Sequence, residues 1–260
     1  MRSLRRQLLP AVMLLVAMAL LCGVVYPAAT WAVGAVAFSH QAQGSFVSRD
    51  GRVVGSSLIA QNFADGHGNP LPQYFQPRPS DAGAGYDPTS SGASNLGPGD
   101  PRLVGFIPGF NSVDLAGNPS KTNPFATTAD PFCVPEDART GSVVISPSAG
   151  ERFARNPDGS YVCDPNTVPE RAIAYRQLNG LAAGAVVPVD AVTASYSGLD
   201  PDISPANADL QAPRVATARH LPLTRVRALI SAHTDGRQLG FLGEETVNVL
   251  ELNLALDALH

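Results

Sequence analysis

From Gln7 to Ser48 the chain carries no formally charged residue when His40 is counted as neutral. No soluble fold leaves so long a stretch uncharged and so apolar at its surface, and this constrains the chain more than any other feature. Within it, residues 8–26 (LLPAVMLLVAMALLCGVVY) give about 28 Å of helix at about 1.5 Å per residue, close to the hydrocarbon thickness of a bilayer, about 30 Å. Arg2, Arg5 and Arg6 precede the stretch, and Tyr26 and Trp31 lie at its far end. Basic residues stay on the cytoplasmic side and aromatic rings collect at the interface, so the bulk of the chain is expected outside the cytoplasm. Pro10 fits a first helical turn, and Pro27 marks a kink or the exit. The alternative is a cleaved signal peptide with Ala35 and Ala37 as the small-residue site, releasing a secreted binding or hydrolytic domain. The apolar run exceeds the usual signal-peptide core of about 7 to 15 residues, which points to an uncleaved anchor.

Beyond residue 40 the chain has 15 basic and 22 acidic residues, a balance of −7 that keeps a domain soluble. Of the 18 basic residues in the whole chain, only Lys121 is a lysine. A Gly-Lys-Ser/Thr phosphate loop and a Ser-x-x-Lys nucleophile pair are therefore excluded, and with no dense basic patch nucleic acid is not an expected partner. Gly and Pro total 47 of 260 residues, which predicts a loop-rich fold.

The expected organisation is a cytoplasmic terminus at 1–7, an anchor with its exit segment at 8–38, and a mixed α/β (α+β) extracytoplasmic domain at 39–101 and 169–260. A loop-rich insertion at 102–168 interrupts that domain. Asp50-Gly51 supplies the positive φ angles of a tight hairpin turn between 46–49 and 52–54. The Gly- and Pro-rich stretch 65–101 is expected to be an ordered loop pinned by its aromatic residues. Cys133 and Cys163, the only cysteines outside the apolar segment, form a candidate disulfide, with a two-ligand metal site as the competing reading. Helices are predicted over 169–181, after a Ser204-Pro205 cap with Pro213 breaking or kinking it, and over 223–232. Residues 246–250 are predicted as a strand leading into a terminal helix.

Candidate chemistry is sparse. His233-Thr234-Asp235 with Ser195 or Ser197 has the residue types of a nucleophilic triad, but no Gly-x-Ser-x-Gly elbow accompanies them, and His233 also suits the end of a helix. Asp200 and Asp202 offer two carboxylates for a cation or acid–base work, or acceptors for a turn and a helix N-terminus. No catalytic residue and no metal site is assigned. In the apolar segment Ala11, Ala17, Ala19 and Gly23 are candidates for helix packing or neutral filler, and Cys22 is read as lipid-facing or helix-packing.

Several segments occur together in a particular order: 54–63 (VGSSLIAQNF, with Gln61 and Asn62), 78–80 (RPS), 85–88 (GYDP) and 94–98 (SNLGP, with Asn95). They continue with 189–195 (VDAVTAS), 197–205 (SGLDPDISP, with Ser197, Gly198, Asp200 and Pro201), 239–244 (LGFLGE) and 247–257 (VNVLELNLALD, with Asn248 and Asn253). With the N-terminal span, they resemble the C-subunit family of the Kdp potassium-transporting ATPase, over nearly the whole chain except about 102–168. The resemblance implies a non-catalytic, single-pass subunit of the plasma membrane. Its implied partners are a potassium-conducting A subunit, an ATP-hydrolysing B subunit, a small F subunit and the lipid bilayer. It also implies a role in assembly and in raising the ATP affinity of the B subunit, with ATP and K+ handled by the complex and no cofactor assigned to this chain. The Asp-Lys-Thr-Gly phosphorylation motif of the ATPase is absent from the sequence.

Overall fold

The computed structural model describes residues 2–95, 139–140, 143–144, 156–157, 163 and 166–259. It divides into two units at Leu58/Ile59.

The first unit begins with helix α1 (Arg2–Leu20), passes through a π-helical turn (Leu21–Val25) and continues as α2 (Tyr26–Ala37). Pro27 explains the π turn. Its ring has no N–H and would press on the carbonyl of Gly23, so the preceding turn widens and the Tyr26 N–H bonds Leu21 O, five residues back. Thr30 Oγ1 then donates to the Tyr26 and Pro27 carbonyls, both at 3.0 Å. Of the two readings of Pro27, a kink or the exit, the exit does not hold, since the helix continues through the π turn to Ala37. The apolar span runs from Arg6 to Ala37, 32 residues, with none of its most apolar window covered. Pro10 also lies inside α1 and not in its first turn.

A single turn, α3 (Ser39–Ala42), leads to the hairpin of β1 (Phe46–Arg49) and β2 (Arg52–Ser56). Its tip is the predicted one, with Asp50 at φ 52° and Gly51 at φ 75°. Pairing slips between Val47 and Ser48, where Val47 faces Gly55 and Ser48 faces Val53, leaving Val54 as a bulge. Two-residue strands β3 (Arg139–Thr140) and β4 (Val143–Val144) pair antiparallel.

The second unit holds the core. Helix α4 (Val168–Leu178) starts at a buried Thr167 cap and ends three residues before the predicted limit. A 3₁₀ turn (Val189–Ala191) follows, then β5 (Asp202–Ile203), α5 (Pro205–Ala218), α6 (Leu223–Ala232), β6 (Thr234–Asp235), β7 (Thr246–Asn248) and α7 (Val249–Asp257). The sheet order is β5-β7-β6, antiparallel throughout, so the last strand is the central one. Ile203 and Val247 face each other and are buried with Phe75, Ala212, Val215, Val226, Ile230, Leu252 and Leu256. Full burial of each larger side chain contributes about 1.5–3 kcal/mol.

Ser204 caps α5 as predicted, accepting from the Asn207 N–H. Pro213, however, neither ends nor breaks this helix, which runs on to Ala218. Asp209, whose carbonyl would have received the missing N–H, shares the exposed face with Pro213, so water can satisfy it. Asp202 is not part of the cap either: it pairs opposite Asn248 in the sheet. The class is mixed α and β, as expected.

Candidate functional site

Residues 71–80 run through the second unit without regular structure, yet they are partly or fully buried except at Pro72. Backbone groups in such a position need partners, and helix side chains supply them. Asn253 on α7 accepts from the Phe75 N–H at 2.9 Å and donates to the Phe75 carbonyl at 3.0 Å. Gln211 on α5 does the same for Gln76, at 2.7 and 3.0 Å. Arg214 donates to the carbonyls of Pro72 and Tyr74 at 2.7 and 2.9 Å, to Asn179 Oδ1 at 2.9 Å and to Gln211 Oε1 at 2.7 Å. All of these are neutral acceptors, so burial brings the guanidinium pKa down to about 10.

At the end of α5, Arg219 donates to the Gln73 carbonyl at 2.7 Å and pairs with Asp257 at 2.6 Å, with its guanidinium 4.9 Å from the Tyr74 ring centroid. Together with Pro72 and His220 these residues line an open hollow of about 510 Å³. The strap continues to Arg78, which pairs with Asp200 at 3.0 Å, while Tyr86 donates to the Arg78 carbonyl at 2.7 Å. Burial pushes the Tyr86 hydroxyl up to about 12, so it is a permanent donor at physiological pH.

The turn before β5 is a second knot. Gly198 has φ 66°, and a Cβ there would lie 2.6 Å from Gly92 O and 2.7 Å from Ala82 N. Its carbonyl accepts from Ser80 Oγ at 2.6 Å. Ser195 and Ser197 accept from the backbone N–H groups of Asp200 and Leu199, at 3.4 and 3.1 Å, so both hydroxyls serve the turn. Asp190 caps α5 beside Ser204, accepting from the Ser204 N–H at 2.7 Å and from Asn207 Nδ2 at 3.1 Å. Asp202 accepts from Asn248 Nδ2 at 3.1 Å, and desolvation together with Asp200 raises its pKa above 3.8.

The family-motif residues therefore occupy structural joints. Asn248 caps α7 and ties it to β5, Pro201 O accepts the Val249 N–H at 3.0 Å, and Asn95 takes a left-handed φ of 56°. Gln61 is half-buried and Asn62 exposed. His233 is the C-cap of α6, and no described hydrogen bond joins it to Ser195 or Ser197. Ala11, Ala17, Ala19 and Gly23 are exposed along the apolar helix, and Cys22 is an exposed free thiol. At about 100° per residue, Ala19 lies about 80° from Ala11 while Ala17 falls about 120° to its other side. Cys133 lies outside the described residues, as does most of 102–168. Among the described residues no group of three metal-ligating side chains occurs.

Sequence reading did not single out Gln211 or Arg219. The available signal was Asn207, Gln211 and Arg214 recurring at helical spacing beside buried Ala and Val, with Arg219 just past the helix end.

The described residues give a helix long enough to cross a bilayer and an α+β domain whose buried polar side chains make internal ties, the build of a membrane-associated protein. The family model for the K+-transporting ATPase c chain, KdpC, matches residues 8–143 and 162–258. The chain is 41% identical over 256 residues to the potassium-transporting ATPase KdpC subunit of Mycobacterium tuberculosis, covering 98% of this chain and 100% of that protein. It is 39% identical over 255 residues to the KdpC subunit of Gemmatimonas aurantiaca and 41% identical over 254 residues to that of Kineococcus radiotolerans, in each case covering 98% of this chain and 94% of the relative. The chain belongs to the KdpC family of potassium-transporting ATPase subunits. The alternative of a secreted domain released after Ala37 has no support here, and Ala35 and Ala37 lie in the last turn of α2.

Proposed function

We propose that the chain is a non-catalytic accessory subunit of an ATP-driven potassium pump, held in the plasma membrane by its N-terminal helix. The second unit lies outside the cytoplasm, where it stabilises the assembly and covers the outer face of the potassium-conducting A subunit. The observation that carries this reading is the uncovered apolar span Arg6–Ala37 in a member of the KdpC family. The basic residues before that span favour a cytoplasmic N-terminus. Arg78 pairs with Asp200, Arg171 with Asp81 and Arg219 with Asp257, an internal use of charge that supports a scaffold role.

An effect on ATP affinity, the second role implied by the resemblance, has to cross the membrane. A domain outside cannot touch a nucleotide bound inside, so the influence is a coupling between states of the assembly carried by the helix. Ala11, Ala19 and Gly23 provide the close approach to neighbouring pump helices, with Ala17 facing another side. The A, B and F subunits are the proposed partners. Cys133 and Cys163 are the proposed disulfide, suited to an oxidising exterior and stabilising by roughly 3 to 4 kcal/mol on the chain-entropy estimate.

The test is co-expression of the full chain with the other pump subunits, affinity purification from membranes, and ATP-dependent potassium uptake with and without this chain. Co-purification of pump subunits and loss of uptake on deletion are expected. A chain that purifies alone, with uptake unchanged by its removal, overturns the reading. Replacing both Ala19 and Gly23 with Phe is expected to weaken co-purification, and intact assembly removes that helix face from the interface.

A further inference from the structure

The connection between β6 and β7 is the most apolar exposed feature of the second unit. From Gln238 to Gly243 it carries no charge, and Leu239, Phe241 and Leu242 are 83%, 69% and 48% exposed. Such a cluster on a polar domain costs solubility unless a partner covers it. The tip is also preshaped. Gln238 and Leu242 exchange backbone hydrogen bonds, both at 2.9 Å, and Leu239, Gly240 and Gly243 take left-handed φ angles of 54°, 81° and 78°. Arg237 and Glu244 close its base with a 2.6 Å ion pair.

Two surfaces can take an apolar tip: a lipid interface or a protein cleft. The flanks decide between them. Asp235, Arg237, Glu244 and Glu245 set three carboxylates against one cation, and a bilayer with anionic headgroups repels that sign, whereas lipid-seeking loops carry Lys and Arg. A hydrogen-bonded, ion-paired loop also matches a cleft of fixed shape, where preorganisation lowers the entropic cost of binding.

We propose that residues 237–244 form a wedge that inserts Leu239, Phe241 and Leu242 into an apolar cleft on another subunit of the same ATPase, and that the cleft has a basic rim. The aromatic Phe241 is the central anchor, as interface energies concentrate in a few large buried side chains. The proposal rests on the accessory-subunit reading and locates one of its contacts.

The experiment places a photo-crosslinking benzoylphenylalanine at Phe241, and separately at exposed Val186 as a control, in the full chain co-expressed with the other subunits. Phe241→Ser and Leu239→Ser variants are purified in parallel. A covalent adduct of Phe241's replacement with a pump subunit of known mass, absent at Val186, is expected. A fall of about tenfold in subunits recovered with the serine variants is expected as well, with melting temperatures unchanged. An intact complex with adducts only to lipid, or with none, overturns the wedge while leaving the accessory role standing. Failure of the unmodified chain to recover any pump subunit overturns the accessory role itself.

Discussion

Asn253 stands to Phe75 as a neighbouring strand would: its carboxamide takes both the N–H and the carbonyl of that residue, at 2.9 and 3.0 Å, although 178 positions separate them in the chain. A side chain thus completes the backbone pairing of an extended segment that has no strand beside it. Both partners are buried, Asn253 to 1% and Phe75 to 0% exposure.

Replacing Asn253 with Leu keeps the volume and strands two buried backbone groups. At about 1–3 kcal/mol for each orphaned group, the variant is expected to lose about 2–6 kcal/mol in urea unfolding. A loss below about 0.5 kcal/mol would mean that water or a shifted backbone replaces the clasp.

Gly198→Ala and Gly51→Ala separate two costs. Both glycines have positive φ, but a Cβ at Gly51 meets open space whereas one at Gly198 strikes the backbone of Gly92 and Ala82. Gly51→Ala is expected to cost about 1 kcal/mol from conformation alone. Gly198→Ala is expected to cost at least about 2 kcal/mol more, read as the difference between the two unfolding free energies.

Asp202 should respond to pH in the unusual direction for a carboxylate. Desolvation first, then Asp200, raise its folded pKa, and Asp235 adds to them, against the lowering bonds from Asn248 and Thr246. The folded state therefore binds the proton more tightly than the unfolded chain. This contribution to stability is full below the unfolded value of 3.8 and is lost as pH rises through the raised folded pKa. Asp202→Asn, which keeps the acceptor for Asn248, is expected to melt above the native protein at neutral pH, with the gap narrowing towards acid. A gap constant with pH would assign the effect to packing.

Arg214→Lys is expected to destabilise by about 2 kcal/mol or more. An ammonium cannot reach Asn179, Gln211 and the carbonyls of Pro72 and Tyr74 together, and each acceptor left dry carries its own penalty. Equal urea midpoints for the two proteins would rule out a shared role for the guanidinium's bonds.

Legibility in the sequence followed the range of the interactions. The Asp50-Gly51 turn, the Ser204-Pro205 start of α5 and the 223–232 helix depend on neighbours a few residues away, and local chemistry predicted them. Pro213 misled because its effect depends on what faces Asp209, a tertiary fact. The central strand β7 falls within the predicted strand 246–250, but β5 spans two residues with no alternation to detect, so Asp202 read as a cap acceptor instead of a strand residue. Asn253 was visible as part of a resemblance, but its clasp was not, because no local pattern marks a side chain whose partner is a distant backbone. The apolar helix beginning at Arg6 was the easiest element to find, but whether Pro27 kinked or ended it depended on the π turn, which no local pattern announces.

A ladder of paired strands can slide by two residues and re-form, but a thread stitched at named points cannot. Phe75 to Asn253, Gln76 to Gln211 and Gln73 to Arg219 each fix one place on the thread to one place on a helix. Inserting or deleting a single residue between 73 and 78 would misalign every stitch beyond it. Slack is tolerated upstream, in the exposed 66–69 bend, where Asp65 ties the turn to itself.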